Sequence, residues 1–340
     1  PVAARNPGDV AALMDWMNNN GLAAEVLKWN EKLPPGLTSA PPPAVEIAKA
    51  FAETKNWSRL KRWTRGGSWT DSEYLRLAYQ AYAARQSRQS GADAEYNSLW
   101  HSAERAAADQ PERDASLARL ATRWGLATEA KQLWKRVAKH PPMRREALDS
   151  LFRIYRAEND LPELLQITNE LHESSPREPA LAANYARLAL LLAPETQQAR
   201  RLAKEAYEAA PTDVNFAITY ALSLYAAGRT GEGLELLKQL PPDDLSEPHA
   251  AVYAATLYID ENQLDLAKPY IAAAQKGQLF PEEKKLLDET VAKAAALAAA
   301  VSAPQPQPSA SVPQPPQEAP APPPSAAPSP AESPPPSPHS

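Results

Sequence analysis

The 340-residue chain has no cysteine. Disulfide scaffolds and thiolate zinc sites are therefore excluded, although a large helical array needs no such staples in any compartment. Glycine is scarce at 11 and phenylalanine at 4. No apolar run approaches the ~20 residues of a membrane span. The net charge is −5, and no block of like charge is long enough to act as a nucleic-acid tail. Neither a Gly-rich phosphate loop nor a nucleophile elbow occurs. The five histidines, His101, His140, His172, His249 and His339, form no HxxxH pair and lack the spacing of a metal site. The chain opens on Pro1 rather than Met, so a native start is expected upstream, and a signal peptide or membrane anchor there stays open.

Alanine and leucine dominate what remains, which favours helix over sheet. The 36 prolines look contradictory until they are located, mostly between helical segments and in the last 38 residues. One mostly small position recurs at Ala118, Phe152, Ala186, Ala221 and Ala255, in steps of 34, 34, 35 and 34. A second register keeps the same time through Tyr96, Ala130, Leu164, Ala199, Gly233 and Ala267. A third runs through Ala103, Val137, Leu171, Ala206, Leu240 and Ala274. Length alone would suggest two domains. A repeat array escapes that estimate, because each unit packs only on its neighbours.

Apolar spacing at i, i+3, i+4 predicts helices over residues 8–19 and 22–33, joined at Gly21. Leu13, Met14 and Met17 are expected to line one face of the first helix. Val26, Trp29 and Leu33 should line the second. A second pair is predicted over 43–54 and 57–65, with Ala48, Phe51, Leu60 and Trp63 inward. A longer helix should follow from Asp71 to about residue 89, and its partner should run from Gly91 to about 108. From Pro111 onward, helices of about 12–14 residues alternate with turns at Gly125, Asn159, Ala193-Pro194, Gly228 and Asn262. Gly and Asn suit helix C-termini because they tolerate positive φ. Residues 281–301 read as one further helix, with Glu282 and Glu283 in its first turn against the helix dipole. Its charges and alanines suit a terminal cap with one polar face. Beyond it, 303–340 is Pro, Ala, Ser and Gln with no Lys or Arg, and disorder with stretches of polyproline II is expected there.

Two-helix units at a 34-residue period resemble the tetratricopeptide repeat (TPR) family. The best unit is 111–144. There Leu117 and Ala118 match the large-small pair, Gly125 the turn, Ala130 the close-packing position and Trp134 the aromatic one. Val137 stands where the family has Ala, and Pro142 closes the unit. Unit 145–178 repeats this with Leu151, Phe152, Asn159, Leu164, Leu171 and Pro176, and units from 179, 214 and 248 match at most positions. Phe152 and Leu164 are large where the family prefers small residues, so that pair should splay. Pro269 should kink its helix or delay its start. The resemblance implies an all-α fold, a right-handed superhelical α-solenoid of about eight helix-turn-helix pairs. Degenerate N-terminal helical repeats would fill 1–90, TPR-like repeats 91–280, the capping helix 281–302 and the disordered tail 303–340. The first helix of each pair would line a concave groove.

In the family the position after the first register points into that groove, and here it holds Arg119, Arg153 and Arg187. Three guanidinium groups in a row would make an anion ladder for carboxylate or phosphate. Arg123, Arg156 and Asn184 lie on the same first helices and could extend it, and Leu222 ends it. The bland reading pairs these arginines with acids, such as Glu112 and Glu146 two turns back from Arg119 and Arg153. Three other features are weaker. The stretch from Lys55 to Arg65 mixes bases with tryptophans, but Leu60 and Trp63 belong to a packed face, so nucleic acid is not expected. His101 and Glu104 lie one turn apart, as many surface pairs do. The tail has PxxP spacings through Pro313, Pro316, Pro320, Pro323 and Pro324, and a spacer role is favoured over a polyproline ligand.

The sequence therefore points to a non-enzymatic scaffold without cofactor or metal, holding an extended peptide or partner helix in its groove, with an acidic partner suited to the arginines. The alternative is a rigid assembly or spacer protein that self-associates, with the proline-rich tail as linker.

Overall fold

The computed structural model describes residues 6–87, 91–108 and 110–302, and the predicted disordered tail lies outside them. All regular structure among the described residues is helical. The helices are α1 Pro7–Asn19, α2 Ala23–Asn30, the single turn α3 Pro35–Thr38, α4 Pro43–Glu53, α5 Trp57–Arg65, α6 Glu73–Gln86, α7 Ala92–Ala107, α8 Pro111–Arg123 and α9 Ala127–Val137. They continue with α10 Pro141–Glu158, α11 Leu161–Ser174, α12 Pro179–Leu192, α13 Gln197–Ala209, α14 Val214–Ala226, α15 Thr230–Leu237, α16 Pro248–Asp260, α17 Leu264–Ala274 and α18 Pro281–Ser302. Apart from α3, successive helices pack as hairpins from α1–α2 to α16–α17, and α18 covers the end against α16 and α17.

The local causes are visible in the chain. Pro7, Pro43, Pro111, Pro141, Pro179 and Pro248 open their helices, where a missing N–H is tolerated. Two of these, Pro111 and Pro141, read from the sequence as lying between units, are thus the first helical residue. Asn6, Asn56, Asp160, Asp213 and Glu247 accept hydrogen bonds from the first-turn amides of the helices they precede. Asn159 and Asn262 adopt φ of 55° and 57° at their turns, alongside Gly125 at 70° and Gly228 at 74°. The turn residues picked out by composition are therefore the left-handed ones. The break at Ala193 is different, with an extended φ of −146°.

The three registers are the seams of the stack. Of their members, only Phe152 and Leu240 are not buried. A small side chain at these points lets backbones approach, and larger neighbours fill the remaining space. Gly233 is the extreme case. A Cβ built there would lie 2.9 Å from the Ala221 carbonyl oxygen and 2.9 Å from Leu257 Cδ2.

Stacking also brings residues one period apart into contact. Lys49 Nζ meets Asp15 at 3.0 Å, Lys61 Nζ meets Glu95 at 2.7 Å, and the Thr256 and Thr290 hydroxyls lie 2.9 Å apart, each pair separated by 34 residues. The apolar core forms two main clusters that meet at α12. One reaches Leu181 and Leu188 and includes Phe280, and the other begins at Ala182.

Some sequence expectations need correction. Leu13 is not on the buried face of α1: it is 39% exposed, whereas Val10 and Met14 are fully buried. The helix expected from Asp71 begins instead with a 3₁₀ turn, Thr70–Ser72. The start of α17 is not delayed, because it begins at Leu264 and carries Pro269 inside it. Trp63 is only partly buried, and its indole N–H donates to the Ala44 carbonyl at 3.0 Å.

Candidate functional site

Four successive first helices, α10, α12, α14 and α16, wall a cavity of ≈ 390 Å³, which Phe280 at the entry to α18 helps to close. Its basic side is made by Arg156 on α10 and Arg187 on α12, with Asn184 one turn before Arg187. None of these three side chains has a hydrogen bond or ion pair to another described residue. Phe152 and Leu164, large members of the first and second registers, also line it.

The opposite side is built from helix starts. Asp213 accepts from the Asn215 and Phe216 amides at 2.9 and 3.2 Å, and Glu247 accepts from the His249 and Ala250 amides at 3.0 and 3.2 Å. His249 Nδ1 donates to Glu283 Oε2 at 2.6 Å, and its ring lies 5.5 Å from that of Phe280. Glu283 is completely buried. It also accepts from the Tyr253 hydroxyl and, at 3.2 Å, from the Phe280 amide, as an N3 glutamate reaching back to the residue before its helix. Burial and the neighbouring Glu283 push the Tyr253 phenol well above its ordinary value, partly countered by Arg187. The imidazole is thus fixed at the cavity wall through Nδ1.

The predicted arginines differ in what their side chains contact. Arg119 is closed off by a two-pronged pair with Glu146, at 2.7 Å from both Nε and Nη2. That hydrogen bond holds the Glu146 carboxyl below its ordinary value. The sequence placed Glu146 beside Arg153 on its own helix, whereas it bridges back to the preceding unit. Arg153 donates to Ser150 Oγ at 3.1 Å. Arg123 stands apart, in a separate aromatic-lined cleft. The structure therefore gathers Arg156, Asn184 and Arg187 and leaves Arg119, Arg153 and Arg123 elsewhere.

His249, Phe280 and Glu283 were missed by sequence reasoning, which read Glu283 only as a first-turn acid set against the helix dipole. One signal was available: His249 and Glu283 are 34 residues apart, as are Asp213 and Glu247. In the basic stretch from Lys55, Lys61 pairs with Glu95, and Arg59 lies 3.6 Å from Glu31. His101 meets Glu104 at 3.2 Å in a hollow that His140 also lines. Among the described residues there is no group of three or more His, Cys, Asp or Glu arranged to hold a metal, and no helix long and apolar enough to cross a membrane.

No protein-family model and no curated protein matches the chain. Among solved structures it is similar to a thermophilic TPR protein of Thermus thermophilus, at 21% identity over 54% of this chain and 98% of that one, with a TM-score of 0.36. A tetratricopeptide repeat protein from Parabacteroides merdae is 14% identical over 73% of this chain and 97% of that one, with a TM-score of 0.40. The Cut9–Hcn1 hetero-tetramer of APC/C is similar at 12% identity over 84% of this chain and 70% of the matched chain, with a TM-score of 0.33. The helices by themselves make the chain an all-α array of stacked hairpins whose successive units meet at the period read from the sequence.

Proposed function

We propose that the chain is a non-catalytic protein-interaction scaffold that holds an extended, acidic peptide segment in the cavity between α10 and α16. The observation that carries this reading is the pair Arg156 and Arg187, unpaired guanidinium groups on adjacent first helices that line one cavity with Asn184. A guanidinium left without an acid is a ready fork for a carboxylate, and an amide beside it offers a donor to a peptide carbonyl. Asp213 and Glu247 direct oxygens to backbone amides, so their charge is partly absorbed by helix starts. The peptide would run across successive units, with its acid on the arginine side.

Partner capture by the protein carrying Arg156→Glu and Arg187→Glu tests this against Arg119→Glu, whose side chain is already occupied. Loss of capture with the first pair alone is expected; capture undiminished by that pair would remove the cavity from the account.

The assembly alternative draws on a different place. Leu13, Trp16 and Leu22 of the first hairpin are 39%, 57% and 39% exposed. Light scattering over a range of concentrations decides it, since an unchanging monomer leaves no self-association to explain.

A further inference from the structure

A second cleft, of ≈ 500 Å³, lies where the C-terminal ends of α4, α6 and α8 come together. Its walls are aromatic. The Tyr82 ring lies 4.2 Å from that of Trp124 at an interplanar angle of 2°, and Trp57 meets Tyr82 edge-on at 5.4 Å. All three rings are partly exposed. Tyr79 backs the stack from inside, 3% exposed and 5.2 Å from Trp124. Lys55, Gln86 and Arg123 supply donors around the rings, and Glu53 supplies one acid.

Some tryptophans of this region use their indole N–H within the chain and others, the buried Trp100 among them, do not. Trp63 and Trp134 use their indole N–H, on the Ala44 carbonyl and on Thr122 Oγ1 at 3.0 and 2.9 Å. Trp57 and Trp124, the two that line the cleft, make no such bond to a described residue. Partly exposed flat rings with unused N–H groups, ringed by further donors, complement a backbone that carries free carbonyls and packs rings of its own. A proline-rich strand has both properties, because polyproline II makes no internal hydrogen bonds. Aromatic-lined grooves recognise such strands for that reason.

We propose that this cleft binds the chain's own proline-rich segment 313–324. That segment, Pro-Gln-Pro-Pro-Gln-Glu-Ala-Pro-Ala-Pro-Pro-Pro, lies outside the described residues. It holds seven prolines, one acid, Glu318, and no Lys or Arg. Its charge therefore complements Lys55 and Arg123, neither of which makes a side-chain hydrogen bond or close ion pair with a described residue, although Arg123 also acts electrostatically on Glu46. The stacked rings take the proline faces, the indole N–H groups and Gln86 take backbone carbonyls, and the two cations take Glu318.

The test uses the full chain and a fluorescein-labelled peptide of residues 313–324, read by fluorescence anisotropy. A variant in which Pro313, Pro316, Pro320 and Pro323 are changed to Ser should bind the peptide at least about fivefold more tightly than the unaltered chain, where the tethered segment competes. In that same background Trp124→Ala should weaken binding by about tenfold or more. Trp124 also supports Tyr79, so Lys55→Glu with Arg123→Glu serves as a second variant outside the packed rings, and it too should weaken binding several-fold. Arg187→Glu should leave it unchanged, which separates this cleft from the acidic-peptide cavity. Peptide bound by neither chain, equally by both, or undiminished by either cleft variant overturns the proposal.

Discussion

His249 Nδ1 lies 2.6 Å from Glu283 Oε2, and the two residues stand 34 positions apart. One is on a repeat unit and the other on the helix that caps the array, so the bond ties the last unit to its lid. Among the described residues no Lys or Arg forms an ion pair with the Glu283 carboxyl. It is held instead by three hydrogen bonds in a fully buried place.

Removing that carboxylate should therefore be costly. Glu283→Ala strands the Tyr253 hydroxyl and the Phe280 amide, both buried, and an unmet buried donor costs ~1–3 kcal/mol. We expect Glu283→Ala to destabilise the protein by about 2–4 kcal/mol in urea unfolding, and Glu289→Ala, exposed on the same helix, by less than about 0.5 kcal/mol. Equal effects would show that burial at Glu283 carries no energetic weight.

Alkaline pH should erode stability through the same tyrosine. Tyr253 is raised well above its ordinary 10.0, mainly by burial, and burial also raises Tyr79 and Tyr96. A group raised on folding contributes fully below its unfolded value and loses that contribution as pH climbs, because the unfolded chain releases its proton first. Stability is thus expected to hold up to about pH 9 and to fall progressively above about pH 10. Tyr253→Phe should reduce the steepness of that fall, which denaturant titrations at several pH values would record; an unaltered slope would clear Tyr253 of any part in it.

Gly233→Ala sets two forces against each other. Helix propensity alone favours alanine by ~1 kcal/mol. The added methyl meets the Ala221 carbonyl oxygen and Leu257 Cδ2, each 2.9 Å away, closer than a Cβ ordinarily sits. Overpacking of that kind costs ~1–3 kcal/mol, so a net loss of about 1 kcal/mol or more is expected, visible as a lowered thermal midpoint. A raised midpoint would mean that α15 shifts freely against α14 and α16.

The left-handed asparagines give a cleaner contrast. Asn159→Gly and Asn262→Gly should be tolerated within about 0.5 kcal/mol, whereas valine at either site should cost about 1–2 kcal/mol. Calorimetry on the four variants checks it, and harmless valines would contradict the observed φ values of 55° and 57°.

How much of this was legible in the sequence depends on how local its cause is. Turns at Gly125, Asn159, Gly228 and Asn262 could be read because φ preference is a property of one residue. Helix faces were mostly readable from period, but that of Leu13 was not. Its exposure depends on which side of α1 receives α4, a fact no single helix encodes. The cavity was half legible. Arg156, Asn184 and Arg187 stood out as polar groups on first helices, while the occupation of Arg119 by Glu146 needed the crossing geometry of α8 and α10. His249 and Glu283 were hidden because each looks like an ordinary helix-start residue, and only the stack makes them partners.

The cavity lined by Arg156 and Arg187 sits where the two apolar clusters adjoin, with Leu188 in one and Ala186 in the other. A peptide lodged there would span that joint and act as mortar between two courses of masonry. Occupancy would then be felt beyond the residues it touches, drawing the melting of the front and rear halves into a single event.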